Sequence, residues 1–165
     1  MAVQAALPLM DGALIEGPVF FDMTVDGAPG FKGRHRDRIV FPKDPKKRPF
    51  VHRYPDPDTE AYEKMIAQYA RLRMGRRLPT RKPVSVVIWA FRAVPKSWSI
   101  RDREAALSGR ILPTPKPDAD NHSKVKDALK GIVWIDDAQV VDDHCYKRYS
   151  ERPRWQIEVR EYIPP

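Results

Sequence analysis

Residues 116–141, KPDADNHSKVKDALKGIVWIDDAQVV, decide how the rest of the chain is read. Pro117 fixes its own φ and holds Lys116 extended, and in an extended segment residues two apart point the same way. Asp118 and Asp120 are therefore expected to face one small volume, where two like charges repel unless a cation or a shared proton neutralises them. Mg²⁺, with Mn²⁺ as a substitute, is the fitting cation, because hard ions take oxygen ligands and keep several waters. From Asn121 onward Val125, Ala128, Leu129 and Ile132 recur at the spacing of one helix face, with Asp120 or Asn121 as the N-cap and Gly131 where the helix would end. Lys124 lies one turn beyond Asp120, so its ammonium can reach the volume the aspartates face. Val133, Trp134 and Ile135 then run into Asp136 and Asp137. A short helix that turns back into a strand can return this second acidic pair beside the first.

Taken singly, Asp120 reads as an N-cap, Lys124 as a solvated helix residue, and Asp136 with Asp137 as the acidic half of a turn. As an ordered set they point to a metal site. Asp136 is the supporting member. His122 follows the acids directly, but one histidine among aspartates does not make a ligand set. Of the next two acids, Asp142 shares strand parity with Val140 and is the better supporting group, ahead of Asp143. Asp127 is expected to face away from the apolar stripe.

The stretch resembles the RusA family of Holliday junction resolvases, whose pattern is an Asp-x-Asp-Asn, a lysine on the following helix, an Asp-Ala-Leu, and an Asp-Asp ahead of a Gln-Val-Val strand. Residues 118–141 match it throughout. The resemblance implies that Asp118, Asp120 and Asp137 are the catalytic acids and Lys124 the catalytic lysine. It extends more weakly to GAPGFKGRHR (27–36), similar to a Gly/Pro-Lys-x-Arg turn, and to WSIRDREAALSG (98–109), similar to a helix before the acidic motif. Residues 1–16 carry no such likeness. The resemblance further implies a homodimer with two active sites, acting on branched DNA, a four-way junction, in recombination and repair, in a phage or prophage setting.

Composition supports a polyanion partner. Thirty basic residues stand against 22 acidic ones, a net charge of +8, and acids committed to a metal leave the remaining surface more basic still. At 165 residues the chain is one ordinary domain. The single Cys145 excludes an internal disulfide and is compatible with a reducing cytoplasm. Residues 1–16 lack a basic start and carry Asp11 and Glu16, so no signal peptide is expected, and no stretch approaches a membrane span.

In chain order, residues 1–16 are expected to form an arm and 17–165 the domain. PVFFDMTVDG (18–27) alternates as a first strand, with Phe21, Met23 and Val25 on one face. Between Lys32 and Arg53 lie nine basic residues and two acidic ones, broken by Pro42, Pro45 and Pro49, with brief strands at 38–41 and 50–54. Lys32, Arg34, Arg36, Arg38, Lys46, Lys47 and Arg48 are candidate phosphate contacts. Asp56 or Asp58 caps a helix whose Tyr62, Met65, Ile66, Tyr69 and Leu72 or Arg73 form the core-facing stripe, ending at Gly75. RLRMGRRLPTRK (71–82) carries six basic residues and no acid, and Arg76 and Arg77 are further DNA contacts. PVSVVIWAFRAV (83–94), apolar on both faces, belongs at the centre of a sheet. Ser97 or Ser99 opens a short helix ending near Gly109. Strands at 139–149 and 154–162 read as a hairpin turning at 150–153.

The expected architecture is α/β (α+β): one domain with a mixed sheet of four to five strands, one long amphipathic helix and a short catalytic helix. The acidic pocket should open toward the surface carrying the basic loops. The implied chemistry is metal-assisted phosphodiester hydrolysis, with one or two Mg²⁺ on Asp118, Asp120 and Asp137 and with Lys124 stabilising charge on the phosphate. The acids state the chemistry and not the substrate's shape, so a nuclease selective for other DNA structures, or a general one, fits them too. A nucleic-acid-binding module in which the acids only end secondary structure predicts no Mg²⁺ dependence and no cleavage.

Overall fold

The computed structural model describes residues 17–30, 36–44, 46–54 and 57–162. The arm expected over residues 1–16 and the capping position Asp56 lie outside them. In chain order the elements are β1 (Val19–Asp26), β2 (Arg36–Val40), β3 (Phe50–Tyr54), α1 (Pro57–Met74), β4 (Val84–Ala93), α2 (Ile100–Leu107), α3 (Ala119–Ser123), β5 (Val140–Ser150) and β6 (Arg154–Glu161), with 3₁₀ turns at Lys124–Leu129 and Asp137–Gln139. The expected mixed α/β domain is found: a four-stranded sheet in the order β1-β6-β4-β5, and a separate two-stranded ribbon of β2 and β3.

Alternation in β1 buries Phe21, Met23 and Val25 and exposes Asp22, Thr24 and Asp26, as period-two spacing requires. β4 is buried from Val84 to Ile88, and it is an inner strand, parallel to β5 and antiparallel to β6. That placement overturns the expected hairpin between the last two strands. A strand apolar on both faces needs a neighbour on each edge. β5 and β6 take the two edges of β4, and the link at 151–153 steps across its end. Arg154 fastens the crossing, with its guanidinium 3.9 Å from the Phe91 ring centroid and a hydrogen bond of 2.9 Å to Ser150 Oγ.

The core fills the space between one face of the sheet and the helices. Trp134, Trp155, Ile66, Leu129 and Ile88 are its largest aliphatic and indole members, each worth about 1.5–3 kcal/mol of burial. The stripe expected on α1 holds at Ile66 and Tyr62 and is corrected at Met65, Tyr69 and Leu72. The buried residues are Thr59, Ile66, Ala70 and Met74, with Tyr62 half-buried, while Met65, Tyr69 and Leu72 are exposed. Thr59 and Ala70, which an apolar count overlooks, join Ile66 and Met74 in the packing face. Arg73 ties it to β1, donating to the Asp22 carboxylate at 2.8 and 3.0 Å and to its carbonyl at 2.9 Å.

Gly30, the last described residue before the basic segment, is held on two sides. His122 Nδ1 lies 3.2 Å from its carbonyl oxygen, and its backbone also bonds Tyr62, whose hydroxyl accepts from Trp155 Nε1. Burial pushes the Tyr62 hydroxyl up to about 12, against the pull of the Gly30 hydrogen bond. A Cβ on Gly30 would lie 2.8 Å from the Tyr62 ring, which the indole of Trp155 pins in place. Gly30→Ala is expected to cost roughly 1–3 kcal/mol by overpacking, read as a lowered thermal midpoint. An unchanged midpoint would mean that the ring yields.

Candidate active site

The segment leading into the first acidic pair is fastened to the sheet by two cations. Arg92 Nη1 on β4 donates to the carbonyls of Pro115 and Lys116 at 2.9 and 3.0 Å, and Lys147 Nζ on β5 donates to Pro115 at 2.9 Å. Sequence reasoning did not mark these residues, since their partners are backbone carbonyls 23 to 32 positions away.

α3 begins at Ala119, and the Asp118 carbonyl accepts the His122 N–H at 3.2 Å. This corrects two expectations. The position before the helix is Asp118, not Asp120 or Asn121, and Asp120 already stands in the first turn. The same-side argument, which needs extended backbone, does not apply to the pair. Both residues are exposed.

α3 passes into the 3₁₀ helix Lys124–Leu129, where Val125 and Leu129 turn into the core as their spacing predicts. Gly131, at φ +74°, closes it in the left-handed conformation that favours glycine. The chain then dives inward at Val133 and Trp134, both wholly buried, and the Trp134 indole N–H donates to Asp137 Oδ1 at 3.1 Å. The second acidic pair thus stands on a core anchor.

Asp136 caps the following 3₁₀ turn. Its Oδ1 accepts the Ala138 N–H at 3.0 Å, and Gln139 Oε1 accepts the N–H groups of Ile135 and Asp136, each at 2.8 Å. Gln139 Nε2 donates in turn to the carbonyls of Thr80 and Lys82. The spacing Asp-x-x-Gln is the sequence signal that announces this box. Lys130 supplies the counter-charge, 3.0 Å from Asp136 and 3.5 Å from Asp137. The Ala138 hydrogen bond first, then the Lys130 ammonium, hold the Asp136 carboxyl below the usual carboxylate range.

Beside α3 it is Asp143, not Asp142, that faces the helix. The register slips between Val84 and Ser85, whose partners are Val140 and Asp142, so Val141 is an extra residue and parity reverses. Asp143 Oδ2 accepts from Ser123 Oγ at 3.0 Å and pairs with Lys126, while Asp142 pairs with His144 at 2.8 Å. His122 is a core residue, 1 % exposed, and burial pushes its pKa down to about 4. Burial, and next the Asp143 charge, push the Cys145 thiol up to about 12. Its alkylation by iodoacetamide at pH 8 is expected to run about 1,000-fold slower than in the unfolded chain, followed by mass spectrometry. A rate near that of the unfolded chain would refute the burial argument.

The remaining candidates fall as follows. Lys32 and Arg34 lie outside the described residues, as do the side chains of Arg36 and Lys124, whose backbones open β2 and the first 3₁₀ helix. Arg38, Lys46, Lys47, Arg48 and Arg76 are exposed. Arg77 donates to the carbonyls of Phe20 at 2.7 Å and Arg73 at 3.1 Å, joining the end of α1 to β1. Among the described residues no three His, Cys, Asp or Glu side chains stand together closely enough to hold a metal ion. The donor chemistry of Asp118, Asp120 and Asp137, all hard carboxylate oxygen, still fits Mg²⁺ or Mn²⁺.

A mixed α/β domain with acids on tight turns and an exposed basic ribbon has the electrostatic footprint of domains that act on nucleic acid. The family described as Endodeoxyribonuclease RusA matches residues 31–160. The chain belongs to the RusA endodeoxyribonuclease family. It is also similar to the Bacillus subtilis (strain 168) protein whose name is "Uncharacterized protein YqaN", 37% identical over 145 residues that cover 84% of this chain and 94% of that relative. Among the described residues no helix is long and apolar enough to cross a membrane.

Proposed function

We propose that the protein resolves four-way DNA junctions as a divalent-metal-dependent endonuclease, nicking two opposing strands from the two sites of a homodimer. The observation that carries this reading is the contact of Gly30 with His122, which fastens the residue preceding the basic segment to α3, the helix that carries Asp120 and directly follows Asp118. Arg38, Lys46, Lys47 and Arg48, all exposed, are the groups proposed to grip the phosphates of the strand that the acids cut.

Asp118, Asp120 and Asp137 would hold Mg²⁺, or Mn²⁺ in its place, and the bound ion would supply charge neutralisation at the phosphate and a water of lowered pKa. Trp134 and the Asp136–Gln139 box orient Asp137. Arg92 and Lys147 hold the approach to Asp118. Lys124, at the start of the 3₁₀ helix, is the group proposed to meet charge developing on the phosphate.

The test is cleavage of a labelled four-way junction beside the matching linear duplex, each with Mg²⁺ and with EDTA. Paired nicks confined to the junction and dependent on metal are expected. Equal cutting of both DNAs would make it a general nuclease, and binding without cutting in any divalent metal would overturn the enzymatic reading.

A further inference from the structure

The ribbon of β2 and β3 carries apolar side chains that stand exposed among the described residues. Its two strands form a sheet of their own, separate from the four-stranded one. Ile39 and Val51 are cross-strand partners, 60% and 61% exposed, while Phe50 is 52% exposed and Phe41, just past the strand, 74% exposed. An isolated two-stranded ribbon gains no stability from such exposure, and exposed apolar patches mark interaction sites. The surrounding charge selects the partner: the tip joining the strands, FPKDPKKRPF (41–50), holds Lys43, Lys46, Lys47 and Arg48 against Asp44 alone. Pro42 and Pro49 stiffen that tip, and Asp44 folds it, accepting the N–H of Lys46 on Oδ1 at 3.0 Å and that of Lys47 on its carbonyl at 3.1 Å.

We propose that this ribbon is a wedge: Phe41 and Phe50 stack on base faces laid open where DNA strands branch, while the flanking lysines and arginine hold the phosphates. The proposal deepens the junction reading above and rests on it. Intact duplex keeps its base faces covered by stacking, whereas a branch point exposes them, and aromatic rings bind any base through its π-face. Ile39, Phe41, Phe50 and Val51 carry no hydrogen-bonding side-chain groups, so they suit stacking and wedging better than reading base edges.

The test places 2-aminopurine at the branch of a four-way junction or within one arm, and measures fluorescence and affinity in EDTA for the wild-type protein and Phe41→Ala/Phe50→Ala. The wild type is expected to change the branch signal only. The double variant should lose that signal and at least about tenfold in junction affinity, with duplex affinity and melting temperature unchanged. Unchanged junction binding, or an equal loss on duplex, would overturn the wedge alone. A fall in sedimentation from dimer to monomer would assign the ribbon to a contact between copies and overturn it too. A wild-type protein with no preference for the junction would overturn both this proposal and the junction reading.

Discussion

Asp118→Asn is expected to lower junction cleavage by about 1,000-fold or more, while binding to the junction in EDTA stays equal or tightens. The side chain is exposed at the residue before α3, where only its backbone carbonyl takes part in the helix, so the substitution should move stability by no more than about 0.5 kcal/mol. Asparagine keeps the shape and one oxygen but removes the charge that a divalent ion requires. The same loss of charge relieves repulsion between the protein and DNA phosphates, which is why affinity does not fall. Cleavage and binding thus move in opposite directions, a pattern that misfolding cannot produce. Cutting at near wild-type rates would remove Asp118 from the metal set.

Trp134→Ala carries the largest expected effect on stability, about 3–5 kcal/mol, measured by denaturant unfolding. The indole is wholly buried beside the segment that runs from the 3₁₀ helix into the second acidic pair, and no neighbour can collapse into the volume of a tryptophan without moving that segment. A domain of this size has only about 5–15 kcal/mol to lose. Trp134→Phe separates the two duties of the residue. It keeps most of the volume but drops the N–H held by Asp137 Oδ1, so the fold should survive while cleavage falls about 10–100-fold. Wild-type cleavage in Trp134→Phe would show that Asp137 is oriented without the indole.

Periodicity made several parts of the fold legible. Phe21, Met23 and Val25 had only one way to be buried together, and β4 had too little polarity to sit anywhere but inside. Val125 and Leu129 likewise found the core although the helix carrying them is part α and part 3₁₀. What failed depended on neighbours that local pattern does not encode. The hairpin between the last two strands was the natural reading of a short connection, until β4 claimed an edge of each. Asp142 lost its place to Asp143 through one extra residue at Val141, invisible without the register. On α1 the packing surface ran through Thr59 and Ala70, which no apolar count would choose. At the acidic stretch the family was readable from residue type and order, and the match over residues 31–160 bears it out, but the supports of the acids were not. Trp134, Gln139, Arg92 and Lys147 act through bonds to groups that a linear reading treats as unrelated.

The path of β6 has a consequence for how the molecule comes into being. β6 is the latest of the six strands in sequence, yet it lies between β1 and β4 and bonds to both. While the chain is being synthesised, those two strands therefore lack the strand that links them, and β1 waits through more than a hundred residues for β6. Sheet closure becomes a late, long-range event, of the kind that folds slowly and exposes unpaired edges meanwhile. The acid-bearing turns rest on this sheet through Gln139, Arg92 and Lys147, so their final arrangement waits on the same step. A ribosome-bound fragment that stops short of residue 154 would carry every proposed catalytic residue and still lack the strand that joins β1 to β4.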